Sequence, residues 1–282
     1  MAETIIRAGV IGHPIGHSRS PLIHRSWLAR HRIDGRYDAH DISPADLLSF
    51  FAAMRDGAMA GCNVTIPHKE TVLAHLDRLT DTARTIGAVN TVWREGDRLI
   101  GDNTDTYGFA ANLDKHAPDW DRAGGRALVL GAGGAALAIV HALIERGFAA
   151  VNIANRTPDR AQRLADRFGG PCRAVALDDP DLYRDANLVV NTTSLTMGEQ
   201  MDERPWPGLE RLADGATVTD IVYTPLKTSL LNAAERQGFR TVDGLGMLLH
   251  QAVPGFERWF GVRPAVTPAL REQLVADLDR HA

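Results

Sequence analysis

The chain has 282 residues, 44% of them hydrophobic, and a formal charge of -4; this is enough to bury a full core, and at roughly 100–200 residues per domain two domains are expected. Lys and Arg are scattered singly, so no basic stripe exists to track a phosphate backbone, and no apolar run approaches the ~20 residues that span a bilayer. Nucleic acid and membrane are therefore excluded as partners. Met1 to Arg7 carries an acid and lacks the long apolar stretch of a signal peptide. Cys62 and Cys172 lie far apart without a Cys-x-x-Cys spacing, which predicts a reducing, cytoplasmic location with neither a disulfide nor a zinc site.

Short apolar runs alternate with amphipathic stretches along the whole chain, the βαβα rhythm of an α/β protein with parallel sheet covered by helices. The first strand is read at Ala8-Gly9-Val10-Ile11. His17-Ser18-Arg19-Ser20-Pro21 follows, and in an extended segment Ser18 and Ser20 face the same way, a pair of hydroxyls suited to a carboxylate. The competing reading is a turn in which Ser20 caps a helix that starts at Pro21. His13, His17, His24 and His31 match no zinc spacing, so no metal is expected.

Asn63 and Thr65 are predicted on one face of a strand that Pro67 ends, with Lys69 at the following helix start. A cation is disfavoured at the positive end of a helix macrodipole, so function explains this lysine better than stability does. Gly87-Ala88-Val89-Asn90-Thr91 and Gly101-Asp102-Asn103-Thr104-Asp105 are two further polar clusters ending short apolar runs.

A Gly/Pro-marked gap at 117–125 precedes the most hydrophobic strand, Ala127 to Leu130, where a second module begins. That strand runs into Gly131-Ala132-Gly133-Gly134-Ala135-Ala136 and then a helix with Leu137, Val140, Leu143 and Ile144 on one face and Gly147 as its stop. Next come a strand at Val151–Ala154, Thr157 as N-cap and Pro158 as first residue of a helix through Phe168, and strands near 173–177, 188–191, 217–222 and 240–242. This is a doubly wound domain. Gly131, Gly133 and Ala136 fit the dinucleotide fingerprint, in which glycines make the tight turn and admit a pyrophosphate to a helix N-terminus. Where an NAD enzyme carries an acid on the ribose diol, this chain has Asn155-Arg156-Thr157 and then Arg160, which suit a 2′-phosphate and predict NADP.

The ordered set Ser18-x-Ser20-Pro21, Asn63-Val64-Thr65-x-Pro67-x-Lys69, Gly87 to Thr91, Asn103-Thr104-Asp105, the Gly-Ala-Gly-Gly-Ala turn and Asn155-Arg156-Thr157 resembles the shikimate dehydrogenase family. Asn191-x-Thr193-Ser194, Asp220-x-Val222-Tyr223-x-Pro225 and Asp243 to Leu248 leading to Gln251 extend the resemblance over nearly the whole chain. It implies a first domain over 1–108 that binds substrate, a Rossmann-like NADP domain over 109–243, and C-terminal helices, 244–282, that return to the first domain and set Gln251 beside Lys69.

The same resemblance implies NADPH-dependent, reversible reduction of 3-dehydroshikimate to shikimate, by a monomer or homodimer. Lys69 and Asp105 form the catalytic pair, and Ser18, Ser20, Asn63, Thr65, Asn90, Tyr223 and Gln251 bind substrate. Gly131, Ala132, Gly133, Gly134, Ala135, Asn155, Arg156, Thr157, Arg160, Thr193, Ile221 and Gly244 bind the cofactor. Quinate or dual quinate/shikimate oxidation is the alternative within the class. A ligand sensor of the same fold without turnover is the alternative outside it, though such a module could dispense with Lys69 and Asp105. Two features depart from the family pattern: Thr106-Tyr107 stands where a Gly follows the motif aspartate, with an expected effect on hydroxyl preference, and Pro254 is expected to kink or restart the helix after Gln251.

Overall fold

The computed structural model describes residues 5–196 and 206–280. The chain divides into two compact units, one running to Thr104 and resuming at Leu249, the other spanning Asp105–Leu248.

The first unit contains β1 (Ile6–Gly12), β2 (Gly35–Asp41), β3 (Gly61–Val64), β4 (Arg78–Leu79), β5 (Thr91–Glu95) and β6 (Arg98–Asp102). They form one sheet in the order β2-β1-β3-β5-β6-β4. β1 runs parallel to β2 and β3, but β5 is antiparallel to both β3 and β6. The sheet is thus mixed, where the sequence rhythm predicts a parallel one. Only the tight turn at Gly96-Asp97 joins β5 to β6, far short of the dozen residues a parallel crossover needs, and Gly96 turns it at a φ of 65°.

Successive side chains of β3 point to opposite faces. Cys62 and Val64 join Ile11, Phe51, Met54 and Val92 in a core under α2 (Leu47–Arg55). Gly61 and Asn63 face the other way, toward the aromatic layer of α1 (Ser20–His31) and α8 (Leu245–Phe260). Gly61 leaves room there for the Trp259 indole, which any Cβ would strike and whose Nε1 donates to the Val92 carbonyl at 3.0 Å. Trp27 packs edge-on against Phe256 with ring centroids 5.4 Å apart, and its own Nε1 donates to the Ala265 carbonyl ahead of α9 (Pro268–Asp279). α8 runs through Pro254 without a break, so the helix does not restart there. Ala252, Val253, Phe256 and Trp259 are all buried around it, and this packing outweighs the ~3 kcal/mol cost of a proline inside a helix.

The second unit carries six parallel strands, β7 (Arg126–Leu130), β8 (Ala150–Ala154), β9 (Cys172–Val175), β10 (Leu188–Asn191), β11 (Thr217–Asp220) and β12 (Arg240–Val242). Their order is β12-β11-β10-β7-β8-β9. Helices cover both faces, so β7 is buried from Ala127 to Leu130: Ala127 and Val129 pack with residues of α4 (Asp105–His116), α5 (Gly134–Glu145) and α6 (Pro158–Phe168). Leu128 and Leu130 pack toward α7 (Ser229–Arg236). Strand order reverses between β7 and β10, and in open α/β sheets ligands bind at such a switch point, beyond the carboxyl ends of the strands. Within α5 the buried face is Ala136, Ala138, Ile139, Val140, Ala142 and Leu143, while Leu137 and Ile144 are only half-buried. The small alanines let the helix lie close to the sheet, which a reading of large apolar residues alone passes over. Among the described residues no helix is long and apolar enough to cross a membrane.

Candidate active site

In the first unit, the ends of β3 and β6, the start of β5 and the middle of α8 meet in a buried polar network. Asn63, Asn90, Thr91, Thr104 and Gln251 are all buried. The Asn90 carbonyl can only accept, so the Asn63 amide nitrogen must face it, at 3.2 Å, with Thr91 Oγ1 at 3.1 Å. Asn63 Oδ1 then faces the Tyr37 hydroxyl, which donates to it at 2.6 Å. Burial keeps that phenol protonated by raising its pKa well above the usual value, so it serves as a donor. Asn90 Oδ1 accepts from the Thr104 backbone N–H at 2.8 Å, and Thr104 Oγ1 donates to the Gln251 carbonyl at 2.8 Å. The Gln251 and Asn90 side chains meet at 3.5 Å. The structure thus brings Asn63, Asn90 and Gln251 together from three distant parts of the chain. It also holds Thr104, the residue before Asp105.

The local geometry at two predicted clusters differs from expectation. Ser18 and Ser20 do not lie in an extended segment: Arg19 between them has helical dihedrals, and α1 starts at Ser20 itself, so Ser20 is inside the helix rather than its cap. Ser18 Oγ accepts from the Ser20 N–H at 3.3 Å, a local side-chain turn that competes with extension. Arg19 reaches Asp277 of α9 at 2.9 Å. Likewise β3 ends at Val64, leaving Thr65 just beyond it, and Lys69 lies in a turn ahead of a 3-10 segment, Thr71–His75, rather than at an α-helix start. One such turn carries little macrodipole, so the electrostatic argument for Lys69 lapses. The Lys69 carbonyl accepts from Val89 N at 2.7 Å, which ties its loop to the residue before Asn90.

At the switch point of the second unit, Gly131 adopts a φ of 110°, and a Cβ there would strike the Thr192 hydroxyl. No other residue fits. By contrast, a Cβ on Gly133 or Gly134 would meet nothing within 4 Å. Those two positions open α5, whose N-cap Gly133 makes no side-chain capping bond, and the amides of a helix N-terminus are groups to which a pyrophosphate binds. Ala132 and Ala135 flank them. At the end of β8, Asn155 Nδ2 donates to the Thr157 carbonyl at 2.9 Å, and Thr157 is the N-cap of α6, although its hydroxyl makes no capping bond. Arg156 and Arg160 are exposed there, and among the described residues neither forms an ion pair. Across the switch point Thr193 Oγ1 donates to Asn191 Oδ1 at 2.7 Å. Gly244 lies against the Ile221 carbonyl so closely that a Cβ would overlap it, which joins two more of the predicted cofactor positions. These residues fit a dinucleotide with a 2′-phosphate.

Tyr223 follows β11 and is half-buried. Asp105 is the first residue of α4 and is buried. Thr106 is spent inside the second unit, its hydroxyl donating to the Ala138 carbonyl of α5 at 3.2 Å. It therefore ties α4 to α5.

Sequence reasoning missed Tyr37 and weighed His24 only as a metal ligand. His24 is wholly buried and stacked on Tyr37 with centroids 3.9 Å apart, and burial pushes its imidazole down to about 3. An unfolded histidine titrates near 6.5, so below that pH the unfolded chain binds a proton that the folded chain refuses. This contribution is complete above pH ~6.5 and is lost as pH falls toward the folded value, by up to about 1.4 kcal/mol per pH unit. Urea unfolding across that range should show an acid limb that His24→Phe, which keeps the stack, makes shallower. Equal slopes in the two proteins would contradict it.

Three family models match the chain: "Shikimate dehydrogenase substrate binding domain" over residues 10–92, "Shikimate / quinate 5-dehydrogenase" over residues 114–198 and "Shikimate 5'-dehydrogenase C-terminal domain" over residues 244–274. The shikimate dehydrogenase (NADP(+)) of Brucella abortus (strain S19) is 55% identical over 274 residues, 96% of this chain and 94% of that relative. Among solved structures, shikimate 5-dehydrogenase from Thermus thermophilus, in complex with NADP(H) and shikimate, is 38% identical with a TM-score of 0.84, covering 97% of this chain and 100% of that one. Quinate dehydrogenase from Corynebacterium glutamicum, in complex with NAD, is 30% identical with a TM-score of 0.83, covering 96% and 99%. With matches spanning both units at this identity, the chain belongs to the shikimate dehydrogenase family.

Proposed function

We propose that this chain is an NADP-dependent shikimate dehydrogenase that reversibly reduces the ring ketone of 3-dehydroshikimate. The observation that carries the cofactor half of this reading is the pair Arg156 and Arg160, exposed and, among the described residues, without ion-pair partners at the end of β8, where a carboxylate would favour NAD. The buried network of Asn63, Asn90 and Gln251 supports the substrate half, because a polyhydroxylated ring needs fixed donors and acceptors. Kinship with a quinate dehydrogenase keeps quinate as the second reading, but that relative was solved with NAD, which the arginine pair does not favour.

NADPH, when bound, supplies the hydride. Lys69 delivers the proton to the carbonyl oxygen as it becomes an alkoxide, and takes it back in the oxidation. Asp105 accepts a hydrogen bond from the Lys69 ammonium and holds it on that oxygen. Ser18 and Ser20 hold the ring carboxylate; Asn63, Thr65, Asn90, Tyr223 and Gln251 hold the ring hydroxyls or share that carboxylate. Asn63 acts as an acceptor in this set, since both hydrogens of its amide are used within the protein and only Oδ1 has a lone pair to spare. The protein works in the cytoplasm, a setting in which Cys62 and Cys172 remain the free thiols they are here. Turnover of shikimate by the purified protein, followed through NADPH absorbance, is the test.

A further inference from the structure

Asp220 ends β11 and is fully buried, beside Asn191 at the end of β10 in the parallel register. Among the described residues no Lys or Arg pairs with it; its partners are neutral donors. Oδ1 accepts from Asn191 Nδ2 at 3.0 Å and from the Val222 backbone N–H at 3.0 Å, and Oδ2 accepts from Thr228 Oγ1 at 2.9 Å. Burial raises its pKa, and the hydrogen bonds pull the other way. A buried carboxylate without a cation is costly, and an apolar pair would build the strand ends with less penalty. Its presence calls for a reason beyond stability.

The reason lies in what its partners hold. Asn191, oriented by Asp220 through its amide nitrogen, turns Oδ1 to the Thr193 N–H at 3.1 Å and hydroxyl at 2.7 Å, and its Nδ2 also reaches Thr196 Oγ1 at 3.0 Å. On the other side, Val222 N fixes the start of the segment bearing Tyr223, and Thr228 fixes its end while capping α7 through Leu231 N at 3.4 Å. One oxygen pair thus anchors two loops at once. We infer that Asp220 is a positioning residue, a hub whose Asn191 arm sets the cofactor-side loop at Thr193 and whose Thr228 arm sets the substrate-side segment at Tyr223. The inference rests on the proposed roles of Thr193 and Tyr223.

The two arms separate experimentally. Each protein is first checked for wild-type thermal unfolding, then assayed for shikimate KM and for NADP+ affinity by quenching of its own fluorescence, which needs no turnover. Thr228→Val, which keeps the shape and removes the donor, should raise the shikimate KM about tenfold with NADP+ affinity unchanged, and Thr228→Ser should restore it. Asn191→Ala should do the reverse, weakening NADP+ about tenfold with shikimate KM held. Asp220→Asn should impair both. If Asp220→Asn does not fold, the two arm variants decide. The hub is overturned if Thr228→Val shifts both ligands alike, if serine does not rescue, or if a folded Asp220→Asn binds both as the wild type does. A wild type that binds NADP+ yet does not turn over shikimate would sink the functional reading instead, and the hub would then be judged by NADP+ affinity in Asn191→Ala and Asp220→Asn.

Discussion

Replacing Lys69 with Ala is expected to lower kcat for shikimate oxidation by about 10²- to 10⁴-fold, the range over which a positioned acid or base contributes. The residue is half-buried on a turn whose backbone is pinned to Val89, so its ammonium starts from a fixed base rather than a mobile loop. Removing the side chain leaves water to carry the proton, while NADP+ affinity, built in the other unit, should change little. Asp105→Asn should fall in the same direction by less, because an amide can still position the ammonium but not balance its charge. Steady-state kinetics with both substrates varied separates the effects. Full turnover in Lys69→Ala would remove it from the mechanism.

The second large effect concerns cofactor choice. Arg156→Ala should weaken NADP+ binding by about 10- to 100-fold, since a charge-assisted hydrogen bond contributes ~1.5–3 kcal/mol, and should leave NAD+ binding almost untouched. Arg160→Ala acts in the same direction from the first turn of α6, and the double variant should lose most of the discrimination. The exposure of both side chains makes the effect salt-sensitive, so the ratio of NADP+ to NAD+ affinity is best taken at low and high ionic strength. Equal losses for the two cofactors would mean that the arginines do not touch the 2′-phosphate.

The second unit was readable because its signals are local. A strand buried on both faces, a glycine turn and an amphipathic helix follow one another within about thirty residues, the length of one βαβ unit, and each obeys its own period. Gly131 could be read as the tight turn, and the structure adds why nothing else fits: a positive φ and the Thr192 hydroxyl in the way of a Cβ.

The first unit was legible as a set of motifs but less so as geometry. Tyr37 reaches Asn63 only because β1 lies between β2 and β3, a fact of sheet order that no local pattern encodes. At Ser18 and Ser20 the turn-into-helix reading holds over the extended one, because the turn at Ser18 and the helical Arg19 carry the chain directly into α1, which starts at Ser20 itself. The absence of a restart at Pro254 has a related reason: propensity is a local prior, and the burial of Phe256 and Trp259 overrides it. Asp220 stood in a quoted motif, yet its part as a hub depends on β10 and β11 being neighbours.

The shikimate dehydrogenase activity is tested most directly by the change in NADPH or NADH absorbance when purified protein is given shikimate or quinate, each with NADP+ and with NAD+. Brisk turnover of shikimate with NADP+ is expected, with far slower reaction in the other three combinations and loss of the signal in Lys69→Ala. Quinate oxidation with NAD+ as the fastest reaction would contradict it in favour of the quinate reading, and ligand binding without turnover in any combination would make the protein a sensor.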